Sequence, residues 1–256
     1  MYCYIYDSFL NQKKYEKQLS KIELFLADLG IGGRIHKLNV LKNLEELISE
    51  EINGGTKNLI VVGNDQTVSR VLDFLVGKNV ALGIIPMGEN NALAESIGIG
   101  SPEDACKIIS ARLIGEMDVG KINEQYFLMG LEVDDHNVIF NFKEYNINPR
   151  ENNNTVGICN INTKKYDFNS RFDDGVMEAV FIPGQQSWWQ GLFNKKEPEN
   201  AQKISIFPIK TLEIEHRKKP VNIIIDGQRT IKTPARIEVL KRKLKIIMGK
   251  SFINNI

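Results

Sequence analysis

Two apolar runs, each closed by a glycine-containing turn, constrain this chain most. Leu59-Ile60-Val61-Val62 runs into Gly63-Asn64-Asp65-Gln66-Thr67, and Leu82-Gly83-Ile84-Ile85 runs into Pro86-Met87-Gly88. Short β-branched runs that stop at a turn and restart with helical spacing read as buried strands of a parallel sheet. Open sheets of this kind bind ligands outside the carboxyl ends of their strands. The polar residues of these two turns are therefore the first place to look for chemistry.

The surrounding pattern agrees. Cys3 to Tyr6 reads as a strand, and Tyr15, Leu19, Ile22 and Leu26 fall on one helix face that stops at Gly30 to Gly33. A weak strand at Arg34 to Leu38 precedes a helix carrying Leu44, Leu47, Ile48 and Ile52. Helices follow both glycine turns, the second over Asn91 to Ile97, and Ser101-Pro102 opens another. After about Asp118 the rhythm changes to short strand-like pieces with Asn- and Gly-rich turns, among them Val221 to Ile225, Ala235 to Leu240 and Lys245 to Met248. The expectation is an α/β domain with a parallel sheet over residues 1–118, then a β-rich antiparallel, sandwich-like domain over 119–256, with a cleft between them.

Composition excludes several classes. A net charge of +1 in 256 residues argues against a dedicated nucleic-acid binder. The three cysteines, Cys3, Cys106 and Cys159, lie far apart without metal-ligand spacing and fit a reduced, cytoplasmic setting. His36, His136 and His216 show no zinc spacing either and read as structural. No apolar run approaches the roughly 20 residues that span a bilayer. The N-terminus lacks a signal-peptide pattern. Any membrane contact is expected to be peripheral, at the inner face.

Five segments in order resemble the diacylglycerol kinase and sphingosine kinase superfamily, which also includes NAD kinases. Gly63-Asn64-Asp65-Gln66-Thr67 resembles its Gly-Gly-Asp-Gly-Thr loop, and Gly83-Ile84-Ile85-Pro86-Met87-Gly88 with Asn91 resembles Gly-x-x-Pro-x-Gly-Thr-x-Asn. Met117-Asp118-Val119-Gly120-Lys121 resembles the entry to the second domain. Asp173-Asp174-Gly175 and Asp226-Gly227-Gln228 resemble the Asp-Asp-Gly and Asp-Gly-Glu turns. The resemblance implies ATP-dependent transfer of phosphate to a lipid hydroxyl of diacylglycerol type, with Mg²⁺ and a lipid partner. No segment matches the dinucleotide substrate of an NAD kinase. The resemblance also implies that Asp65 and Asp226 are catalytic and that Asp65 organises the metal. It places Gly63, Asn64, Gln66, Thr67, Pro86, Gly88, Glu89 and Asn91 around the nucleotide phosphates. A homodimer is left open.

The departures fall on the same loops. Gln66 puts a long side chain where phosphate should approach bare backbone. Asn64 is the milder change, because Asn tolerates left-handed backbone. Glu89 stands where the family has a Thr facing phosphate; a carboxylate about 5 Å from a phosphate charge costs roughly 3 kcal/mol at an effective dielectric of 20. Gln228 replaces an acid, and Tyr6-Asp7-Ser8 replaces the family's first nucleotide loop. Activity is thus expected to be weak or altered. The alternatives are a non-catalytic lipid- or nucleotide-binding module and, more distantly, a kinase with another phosphate donor. Bland readings stand beside each role: Asp65 and Thr67 as helix caps, Glu89 turned to solvent, Asp226-Gly227 as a hairpin turn. Trp188 and Trp189, with Lys195-Lys196, Arg217-Lys218-Lys219 and Lys241-Arg242-Lys243, suit either a membrane surface or ordinary core and solvated turns.

Overall fold

The structure is a computed structural model that describes residues 1–39, 43–133, 135, 137–148, 154–160, 171–183 and 204–250. His136, Trp188, Trp189 and Lys195-Lys196 lie outside these described residues. The chain divides into two compact units, Met1–Met117 with the chain end from Lys243, and Asp118–Arg242.

The first unit alternates strand and helix: β1 (Tyr2–Tyr6), α1 (Glu16–Asp28), β2 (Arg34–Lys37), α2 (Leu44–Asn53), β3 (Asn58–Gly63), α3 (Asp65–Leu75), β4 (Ala81–Pro86), α4 (Ala92–Ser96) and α5 (Pro102–Ala111). The strands run parallel in the order β2-β1-β3-β4. The order reverses between β1 and β3, the kind of switch point at whose carboxyl ends open sheets bind ligands. Strands β3 and β4 are buried at every position, which is why their sequences are apolar runs without alternation. Helix α1 packs Leu19, Ile22 and Leu26 inward, on the expected stripe. Helix α5 starts as its sequence indicates, with the Ser101 hydroxyl accepting from the Asp104 N–H and Pro102 in the first turn.

The second unit is built from β5 (Ile114–Ile122, entering from the first unit), β6 (Gln125–Phe127), β7 (Gly130–Val133), β8 (Val138–Asn141), β9 (Asn146–Ile147), β10 (Asn154–Cys159), β11 (Met177–Pro183), β12 (Ser205–Ile209), β13 (Thr211–His216), β14 (Asn222–Ile225), β15 (Arg229–Lys232) and β16 (Ala235–Ile247). One antiparallel sheet has the order β12-β11-β10-β7-β14-β15; in the other, β13 pairs with both β8 and the start of β16. Phe140, Leu212, Ile214 and Ile237 from one sheet and Leu131, Val156, Ile158, Ala179 and Ile223 from the other share one core. An α/β domain with a parallel sheet followed by an antiparallel β region is the fold class the sequence indicates.

Strand β16 departs from the sequence reading, which splits it at Lys241-Arg242-Lys243. These three residues are exposed, yet the strand continues through them. Arg242 takes a positive φ of 51°, and its N–H donates to Asp118 Oδ1 at 2.7 Å. Its guanidinium bonds Asp173 Oδ2 at 2.9 Å. A carboxylate at 2.7 Å thus absorbs the local kink without ending the strand. Beyond it, Lys245 and Ile246 pair in parallel with Ala81 and Leu82 of β4. The strand therefore begins in the second unit and ends in the first, where the linear reading assigns the whole chain end to the second domain.

Candidate functional site at the carboxyl ends of β1, β3 and β4

The Gly63 loop and the Pro86 loop are joined by backbone. Met87 N–H donates to Gly63 O at 2.8 Å, and Asp65 N–H donates to Asn90 O at 3.0 Å. Asn64 caps α3: its Oδ1 accepts from Thr67 N–H at 3.3 Å, while Thr67 Oγ1 accepts from Asn64 N–H at 3.2 Å. This is the capping-box arrangement. Asn64 is extended, φ −112°, so its tolerance of left-handed backbone is not what the loop uses. Gly63 is needed because the Thr67 side chain folds back over it. A Cβ there would stand 2.3 Å from Thr67 Oγ1.

Asp65 is buried, and both its oxygens are used. Oδ2 accepts from Ala92 N–H at 2.8 Å and Oδ1 from Leu93 N–H at 3.1 Å. It caps α4 rather than its own helix. Asn91, which holds the N-cap position of α4, makes no cap bond there and turns its Nδ2 to Gly88 O at 3.0 Å. Asp65→Ala should therefore lower stability by about 2 kcal/mol, the upper range for a lost cap, with Asp65→Asn losing roughly half as much. Thermal unfolding with far-UV circular dichroism measures both; unchanged midpoints would mean the cap is dispensable.

Gln66 and Glu89 both point into solvent. Gly88 takes a φ of +78°, and a Cβ there would lie 3.0 Å from the Phe9 ring, which packs edge-on against Tyr15. Pro86 is buried at the end of β4. The structure thus brings Gly63, Asn64, Asp65, Thr67, Pro86, Gly88 and Asn91 together.

One residue of this cluster is missing from the candidates named by sequence. Asp7, just beyond β1, is buried, and its Oδ2 accepts the Thr67 hydroxyl at 2.8 Å. The same oxygen lies 3.7 Å from Arg70 Nη1 of α3. Its Oδ1 accepts from Phe9 N–H at 3.2 Å and caps the 3₁₀ turn Ser8–Asn11. The signal was present: an Asp following a buried strand at the order reversal of the sheet. In the sequence alone it shows only as the loss of a nucleotide loop. The loop hydroxyl is already donated to an anion, and a second anion would face it at short range.

Asp226 belongs to the second unit. It sits in the β14–β15 turn with Gly227, both at positive φ (48° and 71°), and Gln228 N–H closes the turn on Ile225 O at 3.0 Å. This is the backbone for which Asp-Gly is favoured. Its carboxylate is buried and gathers three amides, Leu128 at 3.2 Å, Met129 at 2.9 Å and Gly130 at 3.1 Å. Burial pushes its pKa up, while the three amides and Arg229 Nη2, 3.9 Å away, pull it back. Asp118 is used alike: Oδ1 takes Arg242 N–H and Oδ2 takes Gly175 N–H at 2.6 Å. The Asp173-Asp174-Gly175 turn is thereby anchored to the residue that enters the unit. Burial raises the Asp118 pKa against those two bonds, with Asp174 and Asp173 adding to the rise. Arg217-Lys218-Lys219 is an exposed turn whose Lys218 and Lys219 N–H groups donate to His216 Nδ1.

Residues 2–122 match the diacylglycerol kinase catalytic domain. This part of the chain is similar to that family. Similar proteins include the Klebsiella pneumoniae (strain 342) protein named "Probable lipid kinase YegS-like", 29% identical over 115 residues and 43% of this chain. Another is a diacylglycerol kinase of Mycobacterium tuberculosis (strain CDC 1551 / Oshkosh), 30% identical over 96 residues and 37% of this chain. The matched stretches cover 38% and 29% of those relatives' own lengths. A crystal structure of a diacylglycerol kinase from Bacillus anthracis strain Sterne superposes with a TM-score of 0.78 at 20% identity, covering 98% of this chain and 97% of that one. The diacylglycerol-kinase fold therefore extends over both units. Among the described residues, no helix is long and apolar enough to cross a membrane.

Proposed function

We propose that this chain is an attenuated lipid kinase: it transfers phosphate from ATP, with Mg²⁺, to a lipid hydroxyl of diacylglycerol type, and only when Asp7 leaves Thr67. The similarity of residues 2–122 to the diacylglycerol kinase catalytic domain supports a kinase with ATP as donor and a lipid as acceptor. The observation that carries the attenuation is the 2.8 Å bond from the Thr67 hydroxyl to the Asp7 carboxylate. On this reading Gly63, Thr67 and Gly88 border the phosphates once Asp7 has moved. The other candidate acids support the fold first: Asp65 caps α4 and Asp226 holds a turn. Those structural duties also favour a second reading, a lipid- or nucleotide-binding module without turnover.

Purified protein with labelled ATP, Mg²⁺ and mixed lipid extract tests the choice. Slow lipid phosphorylation, lost in a folded Asp65→Asn variant, is the expected result. Turnover unaffected by Asp65→Asn would remove Asp65 from the reaction. Absence of turnover in both wild type and Asp7→Asn would leave the binding module.

A further inference from the structure

Three side chains distant in sequence meet at the start of the parallel sheet. Cys3 of β1, His36 of β2 and Glu51 of α2 each offer one donor atom, and these atoms all lie within 4.8 Å of one another. We propose that they bind one Zn²⁺ ion, a site independent of the kinase reading. Cys3 and Asp7 lie at opposite ends of β1, about 13 Å apart along a strand rising 3.3 Å per residue.

The donor set selects the ion. A thiolate, an imidazole and a carboxylate are the mixed sulfur, nitrogen and oxygen ligands of zinc, whereas Mg²⁺ and Ca²⁺ take oxygens. Tetrahedral bonds of about 2.0–2.3 Å put neighbouring donors roughly 3.3–3.8 Å apart, so closure needs movements of about 1 Å. The carboxylate is already oriented. Glu51 Oε2 accepts from the Thr56 hydroxyl at 2.8 Å and pairs with Arg34 Nη2 at 2.8 Å. Its Oε1 is left facing His36 Nε2 at 2.9 Å. Such outer partners fix the direction of a ligating oxygen.

The ligand charges balance only with the ion bound. With the thiol ionised, Cys3 and Glu51 carry two negative charges and Arg34 one positive. Without a cation, burial pushes the Cys3 thiol up to about 12, and the Glu51 charge adds to the rise. A bound dication reverses that balance and deprotonates the thiol. Binding forms the bond from sulfur to metal and releases the thiol proton to solvent. His36 moves its proton to Nδ1, so its Nε2 lone pair faces the ion, and the net release is about one proton per ion. Cys3 and Glu51 are buried, while the His36 side chain is 23% exposed. The ion thus has an entry from the His36 side, and a fourth position is left for water.

The test uses the full chain, stripped with EDTA and titrated with ZnCl₂ alone against a chromogenic chelator. One Zn²⁺ per chain is expected, with affinity rising as pH rises. Co²⁺ in place of Zn²⁺ should give a sulfur-to-metal charge-transfer band that Cys3→Ser abolishes. His36→Gln, at a partly exposed position that leaves the core intact, should weaken binding at least about tenfold. Absence of stoichiometric Zn²⁺ would overturn the site. So would a Co²⁺ band that survives Cys3→Ser, which would assign the sulfur to Cys106 or Cys159. If Cys3→Ser fails to fold, the wild-type Co²⁺ band together with His36→Gln decides; unchanged affinity in His36→Gln overturns the proposal.

Discussion

Asp226→Ala should destabilise the second unit by about 3–5 kcal/mol. The carboxylate is the buried acceptor of three consecutive amides, and each amide left without a partner costs roughly 1–3 kcal/mol. The loss also frees the backbone that these bonds hold. Asp226 N–H donates to Gly130 O at 2.9 Å, so the turn and the 128–130 segment clasp each other. Asn160 grips the same segment from its other side, with Nδ2 on Leu128 O at 3.1 Å and N–H on Met129 O at 3.1 Å. Asp226→Asn keeps one oxygen but sets an NH₂ group against the remaining donors, and should lose about half as much. Urea unfolding gives the size of the effect, and faster hydrogen exchange at Leu128–Gly130 localises it. If Asp226 were chiefly a proton acceptor in the reaction, both variants would unfold like wild type and lose turnover alone. That result would reject the structural account.

How much of this was legible before any coordinates depends on the range of each interaction. Strands β3 and β4 are buried at every residue, so their apolar runs announce them directly. Ser101 and Asn64 cap residues within three positions, and sequence shows such bonds. Asp65 and Asp226 stand out as turn residues, but their partners do not: Ala92 and Leu93 are reached across the sheet end, and Leu128–Gly130 across most of the second unit. A sequence indicates that an acid is present and in what kind of turn, not which amides close on it. The role of Asp7 is hidden for the same reason. Against the family loop it shows only as a loss; in the fold it is a buried carboxylate that accepts the Thr67 hydroxyl and faces Arg70. The Lys241-Arg242-Lys243 run misled in the other direction. Its charges look like a turn, and only Asp118 and Asp173 explain why the strand continues.

Asp7→Asn should tighten the binding of ATP with Mg²⁺ about tenfold to a hundredfold. A carboxylate and a phosphate charge about 4 Å apart repel by roughly 4 kcal/mol at an effective dielectric of 20. Arg70 already offsets part of that, although its side chain is 48% exposed and its pairing with Asp7 is long at 3.7 Å. Taking the surviving repulsion as about 1.5–3 kcal/mol gives the stated range. The substitution is mild for the fold, because an Asn oxygen can still accept the Thr67 hydroxyl or the Phe9 N–H. Arg70→Gln should act oppositely, leaving Asp7 less compensated and weakening nucleotide binding further. Thermal-shift titration with ATP and Mg²⁺ reads both, since a ligand raises the midpoint only in proportion to its binding to the native state. A larger shift in Asp7→Asn than in wild type, and a smaller one in Arg70→Gln, would establish Asp7 as an internal competitor for the phosphate position. Equal shifts in all three would show that nucleotide, if bound, does not meet Thr67. No shift in any of them would leave this diacylglycerol-kinase fold as a module for some other ligand.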